Sequence, residues 1–351
     1  MRIAIIGGGF GVSGHVPAFS ALPGVEVVVV ADSGSGKIKS QLPKGVAYAA
    51  SWQDALSVPV DAVSIVVPPS RQREIVSAAL GFRKHVFCDK PFGLNASEAI
   101  AMHQEAVSVP DCTTAINYQF RFEPGIQELK RQIESGAVGA LHSVDFSWIT
   151  GGRASPDAPW TWRNDSAVGG GVIGAFFSHA ADLIWWLTQR EVQSVFAQSG
   201  IVVKNRPDEA GQHCVVTAED MIAVQLQLDD GLIVSCRISN CQAGGNGMRL
   251  EVRGSDGVLI YRHAPPFTPQ EQSISLSGKG KKWAIPISQP RLPFVSAESR
   301  LWTVYESARH FVRKAQGDAT ACPPSFLDGV RVHKIMAGLR KSVAQGQNIF
   351  L

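Results

Sequence analysis

The sequence predicts an α/β fold in which a doubly wound parallel sheet comes first and a second α/β domain follows. Two observations carry that prediction. Short, uncharged, β-branched runs recur at βαβ spacing in the first third of the chain, each stopped by Gly, Pro or Asp. The chain also has 351 residues, more than one hydrophobic core usually serves, so two domains are expected.

The first run, Arg2 to Ile6, feeds directly into Gly7-Gly8-Gly9-Phe10-Gly11-Val12-Ser13-Gly14. A strand that turns sharply into a helix, and offers that helix's free N–H groups to a pyrophosphate, needs glycine where backbone and phosphate approach. The G-x-G-x-x-G spacing fits at Gly7 and Gly9, but its third position falls on Val12, between Gly11 and Gly14. Gly7, Gly9, Phe10, Gly11 and Val12 are therefore candidate cofactor contacts. A second strand, Val25 to Val30, ends at Asp32, which lies 23 residues after Gly9. An acidic side chain there grips a ribose 2′-hydroxyl and repels a 2′-phosphate, so NAD is expected over NADP, with Lys37 placed to soften the preference.

A third strand, Ala62 to Val67, stops at Pro68-Pro69, and a helix from Arg71 to Leu80 follows. The fourth strand, His85 to Cys88, ends at Asp89-Lys90-Pro91-Phe92-Gly93. Loops after parallel strands line the ligand crevice, so Pro68, Pro69 and Lys90 join the cofactor set. Lys90 is also placed to orient a substrate hydroxyl or share its proton. Beyond this region the pattern changes to alternation: Val144, Phe146 and Trp148, then Ile222 to Leu228 returning through Asp229-Asp230-Gly231 as Leu232 to Ile238, and a further hairpin around Leu250 to Val258. Helical spacing resumes from Leu301 through Val304, Ala308, Phe311 and Val312.

Composition removes other classes. Hydrophobic residues make up 45% and charged residues 18%, and the net charge of +3 comes without a run of Lys or Arg, which argues against a nucleic-acid surface. Glycines interrupt the N-terminal apolar run before a signal peptide forms, and no stretch of about 18 uncharged apolar residues suggests a membrane span. Six scattered cysteines without a C-x-x-C pair suit reduced thiols in the cytoplasm, and no metal site is expected.

Together these residues resemble the glucose-fructose oxidoreductase, inositol dehydrogenase and rhizopine-catabolism (Gfo/Idh/MocA) family. The matches are Gly7 to Gly11 with His15 and Pro17-Ala18-Phe19; Val67-Pro68-Pro69-Ser70; Cys88-Asp89-Lys90-Pro91 as a version of the family's E-K-P; Asn117 to Pro124; and Trp162-Arg163 with Gly169-Gly170-Gly171 through His179 and Asp182. The resemblance implies a Rossmann domain over residues 1–121. It implies a substrate domain over 122–351 whose large, open, mostly antiparallel sheet often forms the interface of a homodimer or homotetramer. It further implies hydride transfer between NAD(P) and a sugar, cyclitol or keto-sugar.

In that family a lysine from E-K-P works with an aspartate and a histidine in D-x-x-x-H. Lys90 and His179 match, but position 175 is alanine and Phe177 replaces a usual glycine. His179 then becomes the expected base and Lys90 the group that stabilises alkoxide charge. Asp182 is either an orienting partner of the imidazole or a solvent-facing helix residue. Trp162 and Arg163 suit a sugar's C–H face and hydroxyls. Phe176 offers apolar contact, and Tyr118 and Arg121 stand at the domain junction as further substrate candidates. Two alternatives follow from Ala175: a dinucleotide-binding regulator of the same fold without turnover, and an enzyme acting on a non-sugar such as a dihydrodiol.

Overall fold

A computed structural model describes residues 1–288, 293, 298 and 300–351. The chain forms two compact units: Met1–Phe122 with Arg291–His333, and Glu123–Pro290 with Lys334–Leu351.

The first unit holds six parallel strands: β1 (Arg2–Ile6), β2 (Glu26–Ala31), β3 (Ala47–Ala49), β4 (Ala62–Ile65), β5 (His85–Cys88) and β6 (Thr114–Ile116). Their order, β3-β2-β1-β4-β5-β6, reverses between β1 and β4, which is where an open α/β sheet binds its ligand. The helices between them are α1 (Val16–Ser20), α2 (Trp52–Ser57), α3 (Pro69–Gly81) and α4 (Ala96–Val107). Polar N-caps start two of them, Ser51 accepting from Asp54 N and Asn95 from Glu98 N. The glycine turn does not pass straight into an α-helix. A π-helical turn over Gly11–His15 precedes α1, whose first turn carries Pro17, a residue without the N–H that the tighter ladder would use.

In the second unit come α5 (Pro124–Glu134), β7 (Leu141–Ile149), a π-helical turn over Ile173–Phe177, α6 (Ser178–Thr188) and β8 (Val192–Gly200). A small pair, β9 (Asn205–Pro207) and β10 (His213–Val215), stands apart. The main sheet continues with β11 (Met221–Leu228), β12 (Ile233–Ser239), β13 (Gly247–Gly254), β14 (Val258–His263), β15 (Gln272–Gly278), β16 (Lys281–Ile285) and the final β17 (Ile349–Phe350). Its nine strands run β16-β15-β14-β13-β7-β12-β11-β8-β17, antiparallel except for β12 beside β7. One face is apolar: Ile222, Val224, Leu226 and Leu228 are buried, as are Val144, Phe146 and Trp148, while the residues that alternate between them are more open. The expected turn between β11 and β12 is present, with Asp230 and Gly231 both at positive φ.

Helix α7 (Leu301–Ala315) differs from the division at residue 121, which put everything after it in a second domain. Its buried face, Ala308, Phe311 and Val312, packs in one core with Ile3, Ile5, Val30 and Ala62 of the parallel sheet. The Phe311 ring lies 5.4 Å from Phe87 and 6.4 Å from Phe19. The stretch Ser166–Thr188 is long and apolar enough to cross a membrane by length and composition alone, but it carries Asp182 and 78% of its most apolar window is buried inside the protein, as in a core helix. Replacing Phe311 with Ala removes a wholly buried ring and should lower unfolding stability by about 3–5 kcal/mol, with Phe311→Leu costing less than half as much, as read from urea denaturation followed by circular dichroism.

Candidate functional site

At the carboxyl edge of the parallel sheet the chain leaves β1 through Gly7, whose φ is 135° and whose N–H donates to Ala31 O at 2.8 Å. A Cβ at Gly7 would collide with the Val66 carbonyl, so this position accepts only glycine. At Gly9, by contrast, a Cβ would meet no protein atom within 4 Å. The open glycine is therefore free for a ligand's close approach, as a pyrophosphate requires. Gly11 packs on Ile5 and Val12 on the core, and Gly14 is small because the Phe10 ring lies over it. Phe10 in turn stacks edge-on to His15 and lies under the Arg300 guanidinium at 4.2 Å.

Asp32 stands just past β2 with its carboxylate held in place. Oδ1 accepts from Gly34 N and from the Tyr48 hydroxyl, both at 2.8 Å, and Oδ2 from the Ser35 hydroxyl at 2.8 Å. Burial pushes this carboxyl up, but the hydrogen bonds from Tyr48, Ser35 and the Gly34 and Gly36 amides outweigh it and leave it below its usual value. The group is an anion at neutral pH, as discrimination against a 2′-phosphate needs. Tyr48 was not legible as a partner, since it stands 16 residues from Asp32 on an edge strand.

Pro68 and Pro69 open α3, and Lys90 follows β5, half-buried at the same sheet edge. Beneath them runs a buried polar chain. Ser64 Oγ lies 2.8 Å from His15 Nδ1, and Asn117 Nδ2 faces His15 Nε2 at 3.5 Å, Asp89 Oδ1 at 3.2 Å and Gln119 Oε1 at 3.0 Å. Asp89 Oδ1 also accepts from Lys90 N. His15 is fully enclosed, and burial lowers its pKa to about 4, against the opposing pull of Asp89 and with the help of Arg300. Tyr118 and Arg121, proposed as substrate contacts, are instead buried, and Arg121 pairs with Asp328 at 3.5 Å inside the same unit.

Within the second unit, Trp162 and Arg163 sit on a 3-10 turn, the guanidinium over the indole at 5.0 Å, with Arg163 exposed. Asn164 pins that turn by accepting from Arg153 Nη2 and Thr161 N. The three glycines that follow thread a narrow gap: a Cβ on Gly170 would strike the carbonyls of Arg163 and Asp165, and one on Gly171 would strike the Glu219 carboxylate. Glu219 accepts from Ile173 N at 2.8 Å and so fixes the start of the helical segment that carries His179. Sequence reasoning missed it, because its partner lies 46 residues away. Burial pushes the Glu219 carboxyl up, opposed by the amides of Ile173 and Glu219 and by Arg340.

Phe176 and His179 both face Trp148 of β7, at 4.6 and 6.2 Å between ring centres. Phe176 is partly open while its neighbour Phe177 is fully buried. Asp182 is buried, 2% exposed, which removes the solvent-facing alternative.

A glycine turn open at Gly9, an oriented anion after β2 and a lysine after β5 define a dinucleotide-binding oxidoreductase edge. Comparisons agree. Residues 1–116 match the oxidoreductase family with an NAD-binding Rossmann fold, and residues 126–260 match the GFO/IDH/MocA C-terminal domain. The chain belongs to the Gfo/Idh/MocA family of NAD-binding oxidoreductases. It is 30% identical to an uncharacterised oxidoreductase of Synechocystis over 74% of this chain and 71% of that one. It is 23% identical to the levoglucosan dehydrogenase of Pseudarthrobacter phenanthrenivorans over 98% and 96% of the two chains, and 24% identical to the inositol 2-dehydrogenase of Acidothermus cellulolyticus over 76% and 74%. Among solved structures, levoglucosan dehydrogenase with NADH and levoglucosan shares the fold at a TM-score of 0.87, with 20% identity and coverage of 100% and 99%.

The low pKa of His15 carries a stability consequence. The unfolded chain takes up a proton near pH 6.5 and the folded one only near 4, so His15 favours the fold fully above 6.5 and loses that advantage as the pH falls through 6.5 toward 4. The loss amounts to about 3 kcal/mol. Denaturant unfolding at pH 7 and pH 4.5 should show this fall in the wild type and a clearly smaller one in His15→Asn.

Proposed function

We propose that the protein catalyses hydride transfer between NAD and a CH–OH or C=O carbon of a sugar, cyclitol or keto-sugar. The observation that carries the reading is Lys90 held at the sheet edge that also carries the open glycine turn and the Asp32 anion. Gly7, Gly9, Phe10, Gly11, Val12, Asp32, Pro68 and Pro69 are the residues that would hold the dinucleotide. NAD bound there supplies the hydride acceptor; the remaining work belongs to side chains. Lys90 orients the substrate hydroxyl and stabilises negative charge developing on its oxygen. His179 takes the hydroxyl proton in oxidation and returns it in reduction.

Sugar and cyclitol substrates are supported by the names of the levoglucosan and inositol dehydrogenases that the chain resembles. They are supported too by Trp162 with Arg163, an aromatic face beside an exposed multiple donor. Phe176, backed by Trp148 and following Ala175, gives the His179 side of the unit an apolar wall for a C–H surface. The free thiols of all six cysteines suit a cytoplasmic location. The side of the nine-stranded sheet where the part-exposed Arg249 and Arg253 flank a buried Glu251 is the face we assign to a homodimer or homotetramer.

Incubation with NAD or NADP and a panel of sugars, inositols and sugar acids, followed at the absorbance of reduced nicotinamide, should give turnover with NAD and at least one polyol. Lys90→Ala and His179→Ala should each reduce kcat by about 10²–10⁴-fold. Cofactor binding without turnover on any substrate would favour a regulator, the reading that Ala175 keeps open; turnover restricted to dihydrodiols would favour the non-sugar one. Unchanged rates in Lys90→Ala would contradict the role given to that lysine.

A further inference from the structure

The segment Asp89–Gly93 leaves the parallel sheet, carries Lys90 and returns to the core within five residues. Its backbone is tied at the start by Asp89 N to Ile65 O at 2.8 Å and by the Asp89 carboxylate, which accepts from Lys90 N at 3.0 Å. Phe92, with no exposure, sets its ring 4.2 Å from Phe326. Gly93 closes the segment at a φ of 82°, a conformation that glycine adopts without strain.

One side chain spans this segment from end to end. Gln72, on the first turn of α3, is completely buried. Its Nε2 donates to Asp89 O at 2.9 Å, and its Oε1 accepts from Gly93 N at 2.7 Å. Nε2 also approaches Val67 O at 3.4 Å, so the same amide reaches the loop after β4. A primary amide has both a donor and an acceptor at one tip, which is what two backbone groups of opposite kind at the two ends of a turn require. A buried residue satisfying both removes the freedom of the turn to open, because either backbone group left alone in the core would be costly.

We propose that Gln72 is a positioning residue for hydride transfer: its buried amide clips Asp89 to Gly93 and thereby fixes where Lys90 stands on the sheet edge. Asn117 supports the other side by donating to the Asp89 carboxylate, with His15 and Ser64 behind it. The proposal rests on the role given to Lys90 above. Gln72 acts through the backbone and touches no reacting atom, so its effect must appear in the ordering of the turn and in kcat, with the affinity for NAD nearly unchanged.

Gln72→Met keeps the length and apolar volume of the side chain and removes both hydrogen bonds; Gln72→Asn, one methylene shorter, cannot reach both ends and serves if the first variant folds poorly. Amide hydrogen exchange on the full-length protein reads the turn directly. Exchange at Lys90 and Gly93 should rise about tenfold in either variant, while β1 and β2 keep their protection. Turnover with an active substrate should fall on the order of 10–100-fold in kcat, with the Kd for NAD within about threefold of wild type. In a Lys90→Ala background the same substitution should cost nothing further, since it acts through that lysine. Unchanged exchange at the turn, exchange raised evenly across the whole unit, or an equal rate loss without Lys90 would each overturn the proposal. Should the wild type turn over no substrate, the catalytic reading fails on its own, and the exchange comparison still decides whether Gln72 holds the turn.

Discussion

Everything at the parallel edge depends on one steric constraint, the closeness of Gly7 to the carbonyl of Val66. Strands β1 and β4 are neighbours, and the chain leaving β1 must pass directly against the chain leaving β4. Only a residue without Cβ makes that exit. Two residues on, Gly9 opens onto free space. Because all six strands are parallel, the loops after β1, β4, β5 and β6 also leave at this edge, where their backbone groups are released from sheet pairing and need other partners. Two side chains provide them, Gln72 for Val67 O, Asp89 O and Gly93 N and the Asp89 carboxylate for Lys90 N, and Asn117, His15 and Ser64 continue the chain from that carboxylate. Polar groups in a core are stabilising only when satisfied, so this chain of bonds fixes one arrangement of the loops and makes alternatives expensive.

A related solution appears in the second unit, built from different parts. Three consecutive glycines allow the backbone to pass the carbonyls of Arg163 and Asp165 and then the carboxylate of Glu219. That carboxylate satisfies Ile173 N at the start of the helical segment, where intrahelical acceptors are missing. Four residues further than Ala175, His179 takes its place beside Trp148. In both units, then, a bend that needs glycine is held by a buried polar side chain remote in sequence, Gln72 at Asp89–Gly93 and Glu219 at Ile173.

Legibility in the sequence follows the range of the interaction that decides each feature. Gly7, Gly9 and Asp32 were readable because strand, turn and acidic residue lie within one βαβ stretch. The β11–β12 hairpin was readable from alternation and from Asp230-Gly231. Gln72 was not: in Ser70-Arg71-Gln72-Arg73 it looks like one more polar helix residue, and its burial depends on a turn 17 residues later. Helix α7 showed an apolar face without showing what covers it, so its place beside Phe19 and Phe87 was assigned to the wrong domain. Arg121 stood out from its place at the domain junction, but the sequence gives no sign that Asp328, more than two hundred residues on, pairs with it in the core. The finer division of the first helix into a π-helical turn and α1 follows from Pro17, a local signal that periodicity overlooks.

Gly9 offers the most direct test of the view that this edge is an NAD site. A Cβ there meets no protein neighbour, so Gly9→Ala should unfold at the same temperature as the wild type while intruding where the pyrophosphate must approach. Titration calorimetry with NAD is expected to show binding to the wild type and a loss of at least about 1.4 kcal/mol, a factor of ten, in the variant. Equal affinity in two equally stable proteins would contradict the account.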